Sequence, residues 1–213
     1  MTDSDQVRTF EDERWTTTPQ QPVWRHRTAC QMVHGEPVLD VGGGDGLLLR
    51  MLRERGLKEL AMTDLSPVGV ERAREAGFDG TIADATLRLP FQDQSFGTVC
   101  ALDVLEHLRD PSPALEEMVR VGRQIVIVVP NFAHLKERIL MLAGQIPFQS
   151  RPQRGHSYWI NLATLKKLIE SAGLTPIEWR FEGSARLRGL GLWLAQRWPN
   201  LWAVSFAVRL ERR

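Results

Sequence analysis

Short apolar runs alternate with amphipathic segments along most of the chain. Apolar, β-branched runs of this length predict buried strands, and the segments between them show helical spacing with proline or serine at the start and glycine at the end. The predicted strands cover residues 37–41, 59–63, 80–83, 97–102, 124–129, 174–181 and 201–210. The predicted helices cover residues 22–34, 47–55, 66–77, 112–122, 133–143 and 162–172.

This alternation predicts an α/β fold, a doubly wound and mostly parallel sheet with helices on both faces. The most apolar strand, 124–129, is expected near the centre of the sheet. No crossover helix is signalled after Phe181, so the last two strands are expected to pair antiparallel at one edge. The pattern predicts a single domain over 22–213.

Two segments fall outside this regular pattern. Residues 1–21 are polar and predict a flexible N-terminal arm, whereas 147–155 carry two prolines and two arginines and predict a loop near the active face. Both segments are expected to be mobile without ligand and to close over the site when it is filled. The alternative for the arm is a flexible chain end without a role.

Composition narrows the functional classes. The formal net charge is +1, which predicts neither a nucleic-acid nor a membrane partner. Cys30 and Cys100 lack partners at ligand spacing, so neither a disulfide nor a metal site is expected. No signal peptide or stretch of about 20 apolar residues is evident, so the expected location is cytoplasmic. The oligomeric state is not indicated.

A glycine-rich segment, Asp-Val-Gly-Gly-Gly-Asp-Gly at 40–46, lies between the first strand and its helix. Glycines at this point let the backbone turn sharply and approach a ligand closely. A dinucleotide fingerprint requires a third glycine where Leu47 stands, and no Lys-Ser/Thr pair follows to hold phosphates. The segment therefore favours an adenosyl ligand without phosphates. A ligand-free turn and an NAD-dependent oxidoreductase are the alternatives.

Two carboxylates follow the next strands. Asp64 ends the second strand, where it can accept hydrogen bonds from ribose hydroxyls, although this position also suits NAD. Asp84 ends the third strand and can hold an adenine amino group beside small neighbours. The alternative for Asp84 is the cap of a turn.

These motifs, taken in order, resemble those of the class I S-adenosylmethionine-dependent methyltransferases of the small-molecule type (methyltransferase domain 11). The resemblance rests on the glycine segment, the two aspartates, and the segments 89–91, 95–96 and 104–108. Segments 120–123 and 129–132 are similar to the methionine-biosynthesis MetW group, and Gly155-His156 with 161–165 to methyltransferases more widely. Gly43 departs from that group, which usually has cysteine there, and the chain before 36 and after 181 matches it poorly.

The resemblance implies a seven-stranded sheet with S-adenosylmethionine across the carboxyl ends of its strands and S-adenosylhomocysteine as the product. It implies methyl transfer to a small-molecule acceptor. The alternative is a MetW-like binding partner or regulator of an acyltransferase in methionine biosynthesis. The cofactor-binding residues that it implies are Asp40, Gly42, Gly43, Gly44, Asp64, Leu65, Asp84, Ala85 and Asp103. Gly42 and Gly44 would back the methionine moiety, and Asp103 would lie near the sulfonium or amino group.

Candidates on the acceptor side are less clearly marked. His107 and His156 are the candidate catalytic bases, and a structural histidine is the alternative for His107. The candidate substrate contacts, on loops near strand ends or in an aromatic wall that includes Trp24, are Asn131, Tyr158, Trp159 and Trp15. For the aromatic residues, a place in the core is the alternative.

Overall fold

The computed structural model describes residues 21–213, and its centre is a seven-stranded sheet. The strands are β1 (Val38–Val41), β2 (Leu60–Asp64), β3 (Asp79–Ile82), β4 (Phe96–Leu102), β5 (Gly122–Pro130), β6 (Leu174–Phe181) and β7 (Ser205–Arg212). Their order across the sheet is β3-β2-β1-β4-β5-β7-β6. The first five strands are parallel, and β7 runs antiparallel to both β5 and β6. The predicted doubly wound sheet with an antiparallel C-terminal edge is confirmed.

Helices cover both faces of the sheet. They are α1 (Trp24–Met32), α2 (Leu47–Glu54), α3 (Pro67–Glu75), α4 (Ser112–Val121), α5 (Leu135–Leu142), α6 (Leu162–Ser171), α7 (Arg188–Arg197) and α8 (Pro199–Trp202). Short 3-10 turns cover Leu105–His107, Phe148–Ser150, Pro152–Arg154 and Ala185–Leu187. None of the helices in 21–213 is both long enough and apolar enough to cross a bilayer.

Alternation along the central strands divides the core into two layers. In β4 and β5, Val99 and Ile125 belong to the layer under α4 and α6, whereas Cys100 and Val126 belong to the layer under α1, α2 and α3. Successive side chains of a strand point to opposite faces, so a strand buried on both faces is continuously apolar. This explains why the periodicity of β5 shows no polar face.

The strand order places a topological switch at β1. From β1 the chain winds outward through β2 to β3 and then returns to β4 on the other side of β1. In open α/β sheets, ligands bind in the crevice outside the carboxyl ends of the strands at such a point. The glycine-rich segment after β1 and the residues after β4 meet there.

Two expectations about the C-terminal half need correction. The chain between β6 and β7 contains α7 and α8, and β7 begins at Ser205, so residues 201–202 are helical rather than strand. Helix α7 was missed because its only buried residues are Gly191 and Ala195, while Leu190 and Trp193 are exposed. A helix with apolar residues facing solvent lacks the amphipathic pattern. Also, β4 rather than β5 is the middle strand.

Candidate functional site

A cavity of about 930 Å³, partly open to solvent, lies at the carboxyl ends of β1 to β4. Its lining includes most of the predicted cofactor residues. These are Asp40, Gly42, Gly43, Asp64, Leu65, Asp84, Ala85 and Asp103. The topology brings them together because every one of them follows or ends a parallel strand at the same sheet edge. Of the candidate bases, His107 also lines the cavity.

The glycine segment turns tightly at the end of β1. The backbone N–H groups of Gly42 and Gly43 both donate to the carbonyl of Thr63, at 2.7 and 3.1 Å. Gly42 has a φ of +70°, and a Cβ on it would lie 2.5 Å from a methyl group of Val104. Glycine is therefore required at position 42 both by conformation and by the close approach of the segment after β4.

Gly44 has a different place from the one expected. It does not line the cavity; its N–H donates to Oδ2 of Asp64 at 2.8 Å. Its φ of +54° turns that N–H toward the carboxylate. The structure thus gives Gly44 a contact within the loop rather than one with the cavity.

Asp64 is buried at the end of β2, and backbone groups hold both of its oxygens. Oδ2 accepts from Gly44, and Oδ1 accepts from the N–H of Ser66 at 2.8 Å. Each carboxylate oxygen has a second lone pair, so a ligand hydroxyl can still bind. Asp64 therefore fixes the glycine segment and lines the cavity at once.

Asp84 caps a turn and also lines the cavity. Its Oδ1 accepts from the backbone N–H and the hydroxyl of Thr86, at 2.9 and 2.6 Å, which caps the turn after β3. The same residue lines the cavity beside Ala83 and Ala85. A turn cap and a ligand contact are compatible because the turn fixes where the carboxylate points.

Asp103 lies just after β4 in the left-handed region, with a φ of +54°. A non-glycine residue there carries backbone strain, which is frequent at functional sites. Its Oδ2 lies 3.3 Å from Nη1 of Arg25 on α1, and both side chains are partly exposed. No sequence motif marks Arg25, which reaches the cavity from α1.

Asp40 is a buried cavity residue with a raised pKa. Burial, with smaller contributions from the nearby carboxylates of Asp64 and Asp45, raises the pKa of Asp40 from its ordinary 3.8 to about 8. A carboxyl group that loses water and faces like charge holds its proton. Asp40 is accordingly protonated at neutral pH in this state of the protein.

His107 and His156 lie side by side, and of the two only His107 lines the cavity. Their ring centroids are 4.9 Å apart, at an interplanar angle of 67°. Nδ1 of His107 lies 3.2 Å from the carbonyl of Gly155, and Nδ1 of His156 lies 2.8 Å from the carbonyl of Gln149. The loop 147–155 folds into two 3-10 turns in this structure and carries His156 to His107. Whether it moves on ligand binding stays a prediction.

Other predicted substrate contacts lie elsewhere. Asn131 is buried, and its amide donates to the carbonyls of Ala203 and Asn200, at 2.8 and 3.2 Å, so it joins the end of β5 to the segment before β7. Tyr158 packs against the core, and Trp159 is exposed. None of these three residues lines the cavity, and neither does Trp24, the first residue of α1, which packs against the core layer under α1, α2 and α3. Trp15 and residues 1–20 lie outside the described residues.

Three comparisons place the chain among known proteins. The family model described as methionine biosynthesis protein MetW matches residues 25–208. The chain is 30% identical over 186 residues to a demethylmenaquinone methyltransferase from Thermobifida fusca, covering 74% of this chain and 77% of that protein. It is also 35% identical over 113 residues to a bifunctional MetXA/MetW protein from Rhodopirellula baltica, covering 49% of this chain and 18% of that protein.

Among solved structures, a magnesium protoporphyrin IX methyltransferase from Synechocystis with bound S-adenosylhomocysteine aligns over 100% of both chains. The TM-score is 0.68 at 17% identity, which supports the fold. The family match spans β1 to β6, the first half of β7 and every described cavity residue from Arg25 to Leu108. The chain belongs to the MetW family and, with its methyltransferase relatives, to the class I S-adenosylmethionine-dependent methyltransferases.

Proposed function

We propose that this protein transfers a methyl group from S-adenosylmethionine to a small-molecule acceptor. The charge of the cavity is the observation that carries the proposal. Besides Asp40, whose raised pKa favours its neutral form, the lining aspartates are Asp45, Asp64, Asp84 and Asp103, and Arg25 is the one guanidinium among the described lining residues. A carboxylate-rich lining attracts a ligand with sulfonium and ammonium charges, whereas it repels the pyrophosphate of a dinucleotide.

The position of each group suggests how the ligand is held. Asp64 and Asp84, beside the small residues Ala83 and Ala85, form the end suited to ribose and adenine. Gly42 and Gly43, with Asp103 across the cavity, form the end suited to the methionine part. Within this proposal Gly44 acts indirectly, through its hydrogen bond to Asp64.

Bound S-adenosylmethionine supplies a methyl group on an already activated sulfonium carbon. The chain's own part is to hold the acceptor in line with that carbon and to keep water away. His107, Val104 and Leu108 all line the cavity, and we propose that they form its acceptor side. Removal of a proton from the acceptor by His107 or His156 stays a prediction from the sequence.

The acceptor class is suggested by the relatives. Several are named as demethylmenaquinone methyltransferases, and one from Neisseria meningitidis as a ubiquinone/menaquinone C-methyltransferase. Apolar side chains at the acceptor end, those of Leu102, Val104 and Leu108, suit an acceptor with an apolar ring. We therefore propose a cyclic small molecule as the acceptor.

Two measurements test the proposal. Calorimetry is expected to show S-adenosylhomocysteine binding more tightly than NAD, and the reverse order contradicts the cofactor assignment. Incubation with methyl-labelled S-adenosylmethionine and reduced quinone precursors is expected to label the acceptor. Cofactor binding without labelling of any ring acceptor contradicts the acceptor class and supports the partner role that the sequence left as the alternative.

A further inference from the structure

Glu106 is a buried acid with unsatisfied oxygens. The residue is 0% exposed, and neither Oε1 nor Oε2 has a hydrogen-bond partner. Burial, followed by the charge of Asp103, raises the pKa of Glu106 well above its ordinary value. Burying a carboxyl group without partners costs several kcal/mol, so such groups are usually compensated by a ligand or an ion.

Two imidazoles flank this carboxyl group. One ligand atom from each of Glu106, His107 and His156 lies within 4.8 Å of the other two. The three residues come from the 3-10 turn after β4 and from the end of the loop 147–156. The N–H groups of Ser157 and Tyr158 donate to the carbonyl of Glu106, at 2.8 and 3.0 Å, which fixes the loop against the turn.

The hydrogen bonds of the two histidines orient their rings. A backbone carbonyl only accepts, so Nδ1 of His107 donates to Gly155, and Nδ1 of His156 donates to Gln149. In a neutral imidazole this places the lone pair on Nε2. Histidines that bind metals commonly donate their other N–H to a carbonyl or carboxylate in this way.

We propose that Glu106, His107 and His156 bind one divalent transition-metal ion, with Zn²⁺ as the ion to test first. Two imidazoles and one carboxylate form a ligand set that such ions accept, and three protein ligands leave a coordination position open for water or another ligand. The proposal does not depend on the proposed methyl transfer. The Nε2 lone pairs of His107 and His156 would then bind the ion. Because the same lone pairs would have to accept the proton of an acceptor, metal binding and proton removal by these histidines exclude each other.

The donor separations and the nearby charges determine what ion binding requires of this site. Tetrahedral ligands at about 2.1 Å from Zn²⁺ lie about 3.4 Å apart, and the three donors lie within 4.8 Å of one another, so they would have to close by at most about 1.4 Å on binding. A small shift of the loop that carries His156 would supply this closure. The Arg25 and Arg154 charges oppose a cation near Glu106, whereas the Asp103 charge favours one. When the ion binds, it displaces the proton of Glu106, and the negative carboxylate then faces the ion.

Metal titration of the whole chain, with any affinity tag removed, tests the proposal. Protein treated with a chelator is dialysed and titrated with Zn²⁺ by competition calorimetry, without S-adenosylmethionine. The variants are Glu106→Gln and His156→Gln. The matched controls are Glu116→Gln and His34→Gln, at exposed positions of the same residue types. Circular dichroism of each protein verifies folding.

The expected result is one Zn²⁺ per chain for the wild type and both controls. The two site variants are expected to bind at least ~10-fold more weakly. Co²⁺ substitution is expected to give visible absorption bands in the wild type that His156→Gln loses. Absence of stoichiometric binding in the wild type, or equal affinity in the site variants and controls, overturns the proposal. If Glu106→Gln does not fold, His156→Gln decides. S-adenosylhomocysteine binding is measured separately, so failure of the metal site can be distinguished from failure of the proposed methyl transfer.

Discussion

Asp40→Asn is expected to remove a pH-dependent loss of stability from this protein. Asp40 is buried at the end of β1, and its pKa is raised from 3.8 to about 8 by desolvation and by the carboxylates of Asp64 and Asp45. Asparagine has nearly the shape of the protonated acid, but it cannot ionise. The substitution therefore isolates the cost of charging this one group in the folded state.

The sign follows from proton linkage. Between the two pKa values the folded protein holds a proton on Asp40 that the unfolded chain has released, so stability falls as pH rises. The contribution is full below about pH 3.8 and is lost by about pH 8. Each pH unit within this window costs about 1.4 kcal/mol, so from pH 5 to pH 7 the loss is about 3 kcal/mol. Glu106 adds a slope of the same sign that both proteins share.

Urea unfolding at several pH values between 5 and 8 provides the assay. Between pH 5 and pH 7, Asp40→Asn is expected to gain about 3 kcal/mol of unfolding free energy relative to the wild type, whatever the difference between the two proteins at pH 5. Asp79→Asn, at an exposed position of β3, is the control and is expected to follow the wild type. Parallel curves for wild type and Asp40→Asn would refute the assigned pKa.

Three further predictions concern cofactor binding. Asp64→Asn replaces one acceptor oxygen with a donor, and calorimetry is expected to show S-adenosylhomocysteine binding about 10- to 100-fold more weakly; unchanged affinity contradicts the ribose assignment. Gly42→Ala forces a Cβ toward Val104 at a positive φ, so thermal unfolding should show a lower Tm and calorimetry a loss of binding; a normal isotherm contradicts this. Arg25→Gln removes the Arg25 cation from Asp103, so Asp103 is expected to attract the sulfonium of S-adenosylmethionine more strongly. The affinity ratio of S-adenosylmethionine to S-adenosylhomocysteine, measured by competition, is expected to rise about fivefold, or ~1 kcal/mol. An unchanged ratio contradicts a place for Asp103 near the sulfonium.

The sequence predicted the sheet and the cavity edge because those features have local signatures. The strand that ends at Asp40 is apolar and precedes a glycine-rich turn, and Asp64 and Asp84 end the next two strands. In a parallel sheet the carboxyl ends of all strands lie at the same edge, so residues at these positions are close in space although they are far apart in the sequence. The helix before β7 had no such signature, because the helix buries few side chains and exposes Trp193.

Contacts between distant segments could not be predicted in this way. Arg25 reaches the cavity from α1, and His156 reaches His107 through a loop, so no spacing rule connects them. Asn131 shows the opposite error. It follows β5 at the carboxyl edge, where ligand contacts concentrate, but it lies beyond the switch at β1 and binds backbone carbonyls before β7 instead. Position at the edge predicts function only near the switch.

The glycine segment shows why a motif residue need not contact the ligand that the motif serves. Glycine is favoured at position 42 because Val104 packs where a side chain would be, and at position 44 because the N–H that binds Asp64 belongs to a residue with a φ of +54°. Asp64 in turn receives Ser66 on its other oxygen, so one carboxylate joins the ends of β1 and β2 into a single unit. A substitution at position 44 would therefore act on the cavity through Asp64. Both carboxylate oxygens of Asp64 already accept a backbone hydrogen bond, so losing either donor is expected to shift the carboxylate and to weaken its hold on a ligand. Asp64 is therefore the residue through which the loop and the ligand site are coupled.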